Sequence, residues 1–195
     1  MDMALDDSEE IGDEALLALF AAGDARAAAL LTRRFTPLVL AHAYRLLGDR
    51  AEAEDIAQEV MLKLWRVAPD WRQGEAKVTT WLYRVTANAA TDRLRKRGPG
   101  APLEDAPEPR DEAPGAEARL QQAARGDALN AALAELPGRQ RQAVVLRHID
   151  GLANPEIAEI MQLSVDAVES LTARGKRKLA DLLTKRQEEL GYETG

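Results

Sequence analysis

Cysteine is absent from this 195-residue chain, and histidine occurs only at His42 and His148. The first absence excludes disulfides, thiolate metal sites and cysteine nucleophiles; the second excludes a histidine-rich metal centre. Each lone histidine reads as a partly buried helix residue rather than a ligand. Aromatic residues make up only 4% of the chain against 46% apolar residues, and alanine is abundant. A core poor in rings and rich in alanine suits small helical bundles with close helix contacts. No alternating β-branched run marks a strand, so the chain reads as all-α. No apolar run approaches the length of a membrane span, and no membrane insertion is expected. The first ten residues, Met1 to Glu10, are acidic where a signal peptide is basic, which points to a soluble cytoplasmic protein.

Bases are missing from residues 1–14, which hold seven acids: Asp2, Asp6, Asp7, Glu9, Glu10, Asp13 and Glu14. The remainder, with 26 bases and 26 acids, is neutral, so the net charge of −7 sits in that tail. Within the neutral part, Arg93, Arg95, Lys96 and Arg97 form one basic cluster, and Arg174, Lys176, Arg177 and Lys178 another. Each falls at a helix end. Two such patches suit phosphate contact better than total charge suggests, although either alone also fits a dipole-matched helix terminus.

Segment 98–118 breaks the pattern, with five of the nine prolines, three glycines, six acids and one base. Such a stretch cannot bury enough apolar surface to offset its ordering entropy and reads as a flexible Pro-rich acidic linker. It divides the chain into two small helical domains, 13–97 and 119–190. The first parses into four helices. One covers 13–21, before Gly23-Asp24. A second runs from about Ala25 to Leu47 and is interrupted at Pro37, which Thr36 caps. A third opens at Asp49 with Glu52 as a capping box and continues to Arg66. The last, about 76–97, buries Val78, Trp81, Leu82, Val85 and Ala89 and shows Thr80, Arg84, Asn88, Thr91 and Arg95 on its other face.

The second domain begins with a helix over about 119–135 and another opened by Pro137, ending at Asp150-Gly151. From Asn154 to Leu171 the sequence then reads as two short helices and a tight turn. Asn154 is the N-cap, Pro155 fits the first helical position, and Ile157, Ile160 and Met161 recur at helical spacing. Gln162-Leu163 makes the turn. Ser164 caps the next helix, Asp166 sits in its positive first turn, and Val168 and Leu171 form its inner face. Such a unit, a helix-turn-helix, offers its second helix to the DNA major groove. An ordinary helical hairpin is the plainer alternative.

Three stretches together resemble a known family. Gly48 to Trp65 (GDRAEAEDIAQEVMLKLW) resembles the polymerase-binding signature of bacterial sigma factors. Thr80 to Asn88 (TWLYRVTAN), continued to Arg97, resembles their promoter-melting helix. Leu136-Pro137, Gly151-Leu152 and Asn154 to Leu179 resemble their C-terminal helix-turn-helix. Order, spacing and linker resemble the extracytoplasmic-function (ECF) subfamily of sigma-70-type RNA polymerase sigma factors, over roughly residues 13–190. The resemblance implies a transcription initiation factor that binds core RNA polymerase and directs it to promoter DNA through −10 and −35 elements. An anti-sigma factor is an expected partner, and no cofactor or metal is expected.

The polymerase-binding residues so implied are Asp55, Gln58, Glu59 and Leu62, whose spacings of three and four put them on one helix face. The plain alternative is a solvated acidic face with Leu62 and Leu64 buried. For the −10 element, Thr80 and Asn88 are edge donors and acceptors for unstacked bases. Arg84 and Arg95 hold backbone phosphates, and Arg93, Lys96 and Arg97 meet duplex phosphates nearby. Trp81 and Tyr83 offer stacking surfaces, with Trp81 in the apolar register of a core residue. For the −35 element, Val165, Asp166, Glu169, Ser170, Ala173 and Arg174 lie off the Val168/Leu171 stripe. Arg174 is the best base reader, while Arg177 and Lys178 hold phosphates.

Two features depart from the family pattern. Where second helices often carry Thr-Val-Lys-Ser-Arg, this chain has Ala167-Val168-Glu169-Ser170-Leu171. A basic phosphate contact is therefore missing at Glu169, which leaves the usual −35 preference open. Gly175 is expected to loosen the same helix by about 1 kcal/mol relative to alanine. A conventional helix-turn-helix regulator acting without polymerase would account for 137–179 but not for the two upstream motifs. The carboxylate pairs Glu156/Glu159 and Glu52/Asp55 lack any nucleophile, metal-ligand histidines or phosphate loop, so the protein reads as no enzyme.

Overall fold

Eight α-helices carry the described part of the chain, and the computed structural model describes residues 11–74, 76–97 and 116–189. The acidic residues 1–10 and the Pro-rich stretch 98–115 lie outside the described residues.

In α1 (Asp13–Ala21), Asp13 and Glu14 occupy the first turn, where the helix dipole favours negative charge. Leu16 and Leu17 are fully buried, and Arg34 Nη1 holds the start by donating to Asp13 Oδ1 at 2.6 Å and to the Ile11 carbonyl at 3.0 Å. Gly23 turns the chain with φ +92°, and Asp24 caps α2 (Ala25–Leu47) by accepting from Arg26 N at 2.7 Å.

The expected interruption at Pro37 does not occur: α2 is continuous through it. Proline removes one N–H and frees the carbonyl four residues back. Here Pro37 and Arg33 are both exposed, so that carbonyl is not stranded in the core. Leu31, Phe35, Val39, His42 and Leu46 meanwhile form one buried stripe on both sides of the proline. Burial of large side chains, at about 1.5–3 kcal/mol each, outweighs one lost hydrogen bond.

Gly48 ends α2 in the left-handed conformation (φ +71°), and Asp49 caps α3 (Arg50–Val67), accepting from Glu52 N at 2.9 Å. The box is only half made, because the Glu52 carboxylate turns to Arg97 instead. Ala53, Ile56, Ala57, Val60, Met61 and Leu64 bury one face of α3. A 3₁₀ turn, Ala68–Asp70, then leads toward α4 (Val78–Arg97).

The face assignment on α4 needs correction. Val78, Thr80, Leu82, Tyr83, Thr86, Ala87 and Ala90 are buried, whereas Trp81, Val85 and Ala89 are half-buried. α4 packs on α2 and α3 on one side and on α7 on another, so it is covered by more than its own bundle.

The second half comprises α5 (Ala116–Ala134), α6 (Gly138–Val144) with a π-helical turn Val145–Ile149, α7 (Asn154–Met161) and α8 (Val165–Glu189). α5 begins at Ala116, inside the stretch 98–118 read as linker. The N-cap of α7 is Ala153 rather than Asn154. Glu156 Oε2 accepts from Ala153 N at 3.1 Å, which satisfies an end donor without a capping side chain at Asn154. Gln162 makes the turn with φ +54°, and Ser164 Oγ caps α8 by accepting from Ala167 N at 3.2 Å. Ile157, Ile160 and Val168 close the helix-turn-helix core with Leu146.

The two halves pack together. α2 touches α5, α6 and the π turn, and α4 touches α7. The first core runs on into Leu133, Leu136, Val144 and Val145, while Tyr83 and Leu38 join the helix-turn-helix core.

Candidate nucleic-acid and protein interfaces

Asp55, Gln58, Glu59 and Leu62 are all exposed along one face of α3. Leu62, 55% exposed, is one of the exposed large apolar residues, whereas Leu64 is fully buried. Leu62 therefore stands as an apolar group among exposed charged and amide side chains. The carboxylates are paired only at the surface. Glu59 accepts from Lys63 Nζ at 2.7 Å, and Asp55 lies 3.6 Å from Arg93. The Lys63 hydrogen bond, followed by the charges of Lys63, Arg93 and Lys96, holds Glu59 below the usual carboxylate range despite slight desolvation. Surface pairs of this kind contribute about 0–1 kcal/mol and exchange readily for a partner's charges.

A groove of about 340 Å³ lies between α3 and α4, lined by Glu59, Lys63, Asn88, Asp92, Arg93 and Lys96 among others. It joins the α3 face to the basic end of α4. Arg95 and Lys96 are exposed, and Asn88 is exposed higher on the same helix. Two other residues assigned to the −10 element sit differently. Thr80 is 6% exposed and faces the interior. Arg97 is committed to α3, with Nη2 at 2.7 Å from Asp49 and Nε at 3.0 Å from Glu52. Its position ties the end of α4 to the start of α3, which explains why the third helix keeps only half of its capping box.

Sequence reading missed a second pocket, of about 390 Å³, where α3 and its 3₁₀ extension meet α4. Arg66, Trp71, Arg72, Trp81 and Arg84 line it. Trp71 and Trp81 meet edge to face at 6.0 Å, and Trp71 Nε1 is buried without a hydrogen-bond partner. The signal was an aromatic residue just past Pro69, outside any helical stripe. Trp81 is thus a pocket wall as much as a core residue.

On α8, Val165, Asp166, Glu169, Ser170, Ala173, Arg174, Arg177 and Lys178 are all exposed, while Val168 is fully buried. Arg174 Nε donates back to the Ser170 carbonyl at 3.2 Å, and Glu169 Oε1 accepts from Asn154 Nδ2 at 3.2 Å. Gly175 is buried where α8 crosses α6, so close that a Cβ there would stand 2.6 Å from Val144 Cγ2. Besides its effect on helix propensity, this glycine permits the close approach of α8 to α6.

Residues 31–99 match Sigma-70 region 2, and residues 126–179 match Sigma-70, region 4. The ECF RNA polymerase sigma factor SigM of Mycobacterium tuberculosis is 36% identical over 89% of this chain and 86% of its own length. The chain belongs to the ECF sigma factors. SigE of Mycolicibacterium smegmatis is 34% identical over 82% of this chain, which spans 62% of that relative's length. Among solved structures, CnrH in complex with the cytosolic domain of CnrY aligns with a TM-score of 0.65, at 28% identity over 89% of this chain and 97% of that one. The sigma factor RpoE of Bartonella quintana, solved with the anti-sigma factor NepR, shares the fold with a TM-score of 0.62 at 22% identity over 78% of this chain and 94% of that one. In this ECF factor the region 2 match covers α2 through α4 and hence the α3 face. The region 4 match covers the second half through the exposed face of α8. No helix among the described residues is long and apolar enough to cross a membrane.

Proposed function

We propose that this ECF factor docks on core RNA polymerase through Asp55, Gln58, Glu59 and Leu62 of α3, reads the −10 element with α4 and reads the −35 element with α8. The division of labour follows residues 13–97 and 119–190, with 98–118 between them. The observation that carries this reading is the pair of exposed, chemically distinct faces. α3 mixes acids with an exposed leucine, as protein recognition requires. α8 presents polar and basic groups around Arg174, as groove recognition requires.

Asn88, Arg84, Arg93, Arg95 and Lys96 supply the −10 contacts on α4, with Thr80 and Arg97 acting from within by supporting the helix. The Trp71/Trp81 pocket, ringed by three arginines, fits a base taken out of the stack. Aromatic edges and faces bind any base, and the guanidiniums hold its flanking phosphates. The factor works in the cytoplasm as a specificity subunit and catalyses nothing itself. CnrH and RpoE were each solved with a partner protein, which supports an anti-sigma factor as the partner that holds this chain inactive.

The test is transcription from a genomic library with core polymerase and the purified chain. Defined start sites that depend on the chain, together with co-elution with core, are expected. Duplex binding without either would favour the rival reading of a helix-turn-helix regulator acting alone.

A further inference from the structure

Asn154 is released from capping, since Ala153 is the N-cap of α7, and its side chain crosses to α8 instead. Nδ2 donates to Glu169 Oε1 at 3.2 Å, a bridge between the two helices of the helix-turn-helix. A carboxylate only accepts, so the amide must turn its nitrogen toward Glu169. The Asn154 oxygen is left buried without a hydrogen-bond partner. Glu169 is exposed, and its Oε2 has no partner among the described residues. One carboxylate oxygen is tied and the other is open.

Packing does not require this bond. Ile157 and Ile160 of α7 and Val168 of α8 already close the core between the two helices, and an exposed hydrogen bond adds only modestly to such a contact. The helix dipole does not call for the charge either. Asp166 already occupies the first turn of α8, and Glu169 stands beyond it, where the effect has faded. No cation neutralises Glu169: it forms no ion pair among the described residues. Arg174, the first base along α8, bonds the Ser170 carbonyl.

On a face turned to DNA, such a carboxylate is repelled by phosphates and by base acceptors alike. It needs a donor. In the major groove, the amino groups of cytosine (N4) and adenine (N6) offer one. Adenine sets its N7 acceptor beside that amino group, whereas the edge of cytosine carries no acceptor. A carboxylate held in one orientation therefore favours cytosine. The tie to Asn154 supplies the orientation, because a free glutamate samples many rotamers and loses that freedom on contact.

We propose that Glu169 is a specificity-determining residue that accepts from the N4 amino group of a cytosine in the −35 element, with Asn154 as the positioning residue that aims its open oxygen. This rests on the reading above that α8 enters the −35 major groove, and it names the base that one place on the helix selects. Arg174 lies ~7.5 Å further along at ~1.5 Å per residue, more than the ~3.4 Å step between base pairs. The two side chains therefore address different pairs.

The test uses holoenzyme assembled from core polymerase and the full-length chain, with a promoter library randomised through the −35 element. The parent should select cytosine at one position of one strand by about tenfold or more. Glu169→Gln keeps an oxygen for Asn154 and turns an amide donor to the base in place of the open oxygen. Cytosine should then be disfavoured at that position, and guanine or thymine, which accept through O6 or O4, should replace it. Asn154→Ala should lower the cytosine preference about two- to tenfold at that position alone, with helix content and core affinity unchanged. Weakening of every sequence alike in Asn154→Ala would mark a purely structural bond and remove the positioning role. A parent without the cytosine preference, or a profile that Glu169→Gln leaves unmoved, overturns the base contact. If no start site depends on the chain, the sigma factor reading fails instead, and the same selection on duplexes bound by the free full-length chain decides the Glu169 contact.

Discussion

Replacing Gly175 by alanine sets two known effects against each other. A glycine inside an α-helix costs about 1 kcal/mol relative to alanine, so local propensity predicts that Gly175→Ala stabilises the protein. The tertiary contact predicts the reverse. The added Cβ would lie 2.6 Å from Val144 Cγ2, 3.1 Å from the Gln140 carbonyl oxygen and 3.3 Å from Gln140 Cβ. Val144 is β-branched and 1% exposed, so its methyl cannot swing aside cheaply. The carbonyl behind it belongs to the α6 backbone. Overpacking of this kind costs about 1–3 kcal/mol, and a contact this short belongs in the upper part of that range. The net expectation is a loss of about 1–2 kcal/mol, or roughly 2–8 °C in Tm for a chain of this size. Thermal unfolding followed by circular dichroism measures it. On a Val144→Ala background the same substitution should be neutral or favourable, giving a coupling energy of about 1–3 kcal/mol in the double-mutant cycle. A rise in Tm for Gly175→Ala alone would refute the packing argument and return Gly175 to a mere helix weakener.

The other expectations concern the faces and the core. Leu62→Ala or Glu59→Lys should weaken co-elution with core polymerase about tenfold or more while leaving thermal stability within about 0.5 kcal/mol, since both side chains are exposed; unchanged affinity in both would favour a solvated helix. In holoenzyme, Arg174→Ala should relax preference at one −35 position by about 1–3 kcal/mol. Arg177→Ala should instead weaken all sequences alike and flatten the salt dependence, and a Arg174→Ala profile unchanged at every position would remove the base-reading assignment. Burial, with the Asp150 charge adding and Arg45 opposing, pushes the Tyr83 hydroxyl up to about 12 from its ordinary 10. The neutral phenol is the form the fold prefers, so its contribution is complete below pH 10 and is lost as pH rises toward 12. Tyrosinate absorbance should show one late ionisation that vanishes in Tyr83→Phe, and that variant should lose less stability over the same interval.

Much of the fold was legible because its signals are local. Asp24, Asp49 and Ser164 cap helices within three residues of themselves, so a short window of sequence contains both the acceptor and the donors it serves. The three-and-four spacing that puts Asp55, Gln58, Glu59 and Leu62 on one face needs nothing beyond a helix. The eight residues assigned to the −35 face of α8 were equally visible as a polar face, since they lie off the Val168/Leu171 stripe. Pro37 and Asn154 misled for the same local reason. Each carries a strong preference, to break and to cap, that packing of the neighbouring stripe or an alternative hydrogen bond at Ala153 overrode.

By itself, then, the sequence determined that the chain is helical, roughly where most of its helices lie, and which face of α3 and α8 is polar. Periodicity reports that a face is apolar, but it does not say what covers it. Only the tertiary structure placed Thr80 in the interior, set Trp71 against Trp81, and spent Arg97 on Asp49 and Glu52. Only it brought Asp150 to His42 across 108 residues and Arg141 to Leu46 across 95. Those pairings depend on the path of the whole chain and on the burial that closes it, and no run of neighbouring residues encodes either.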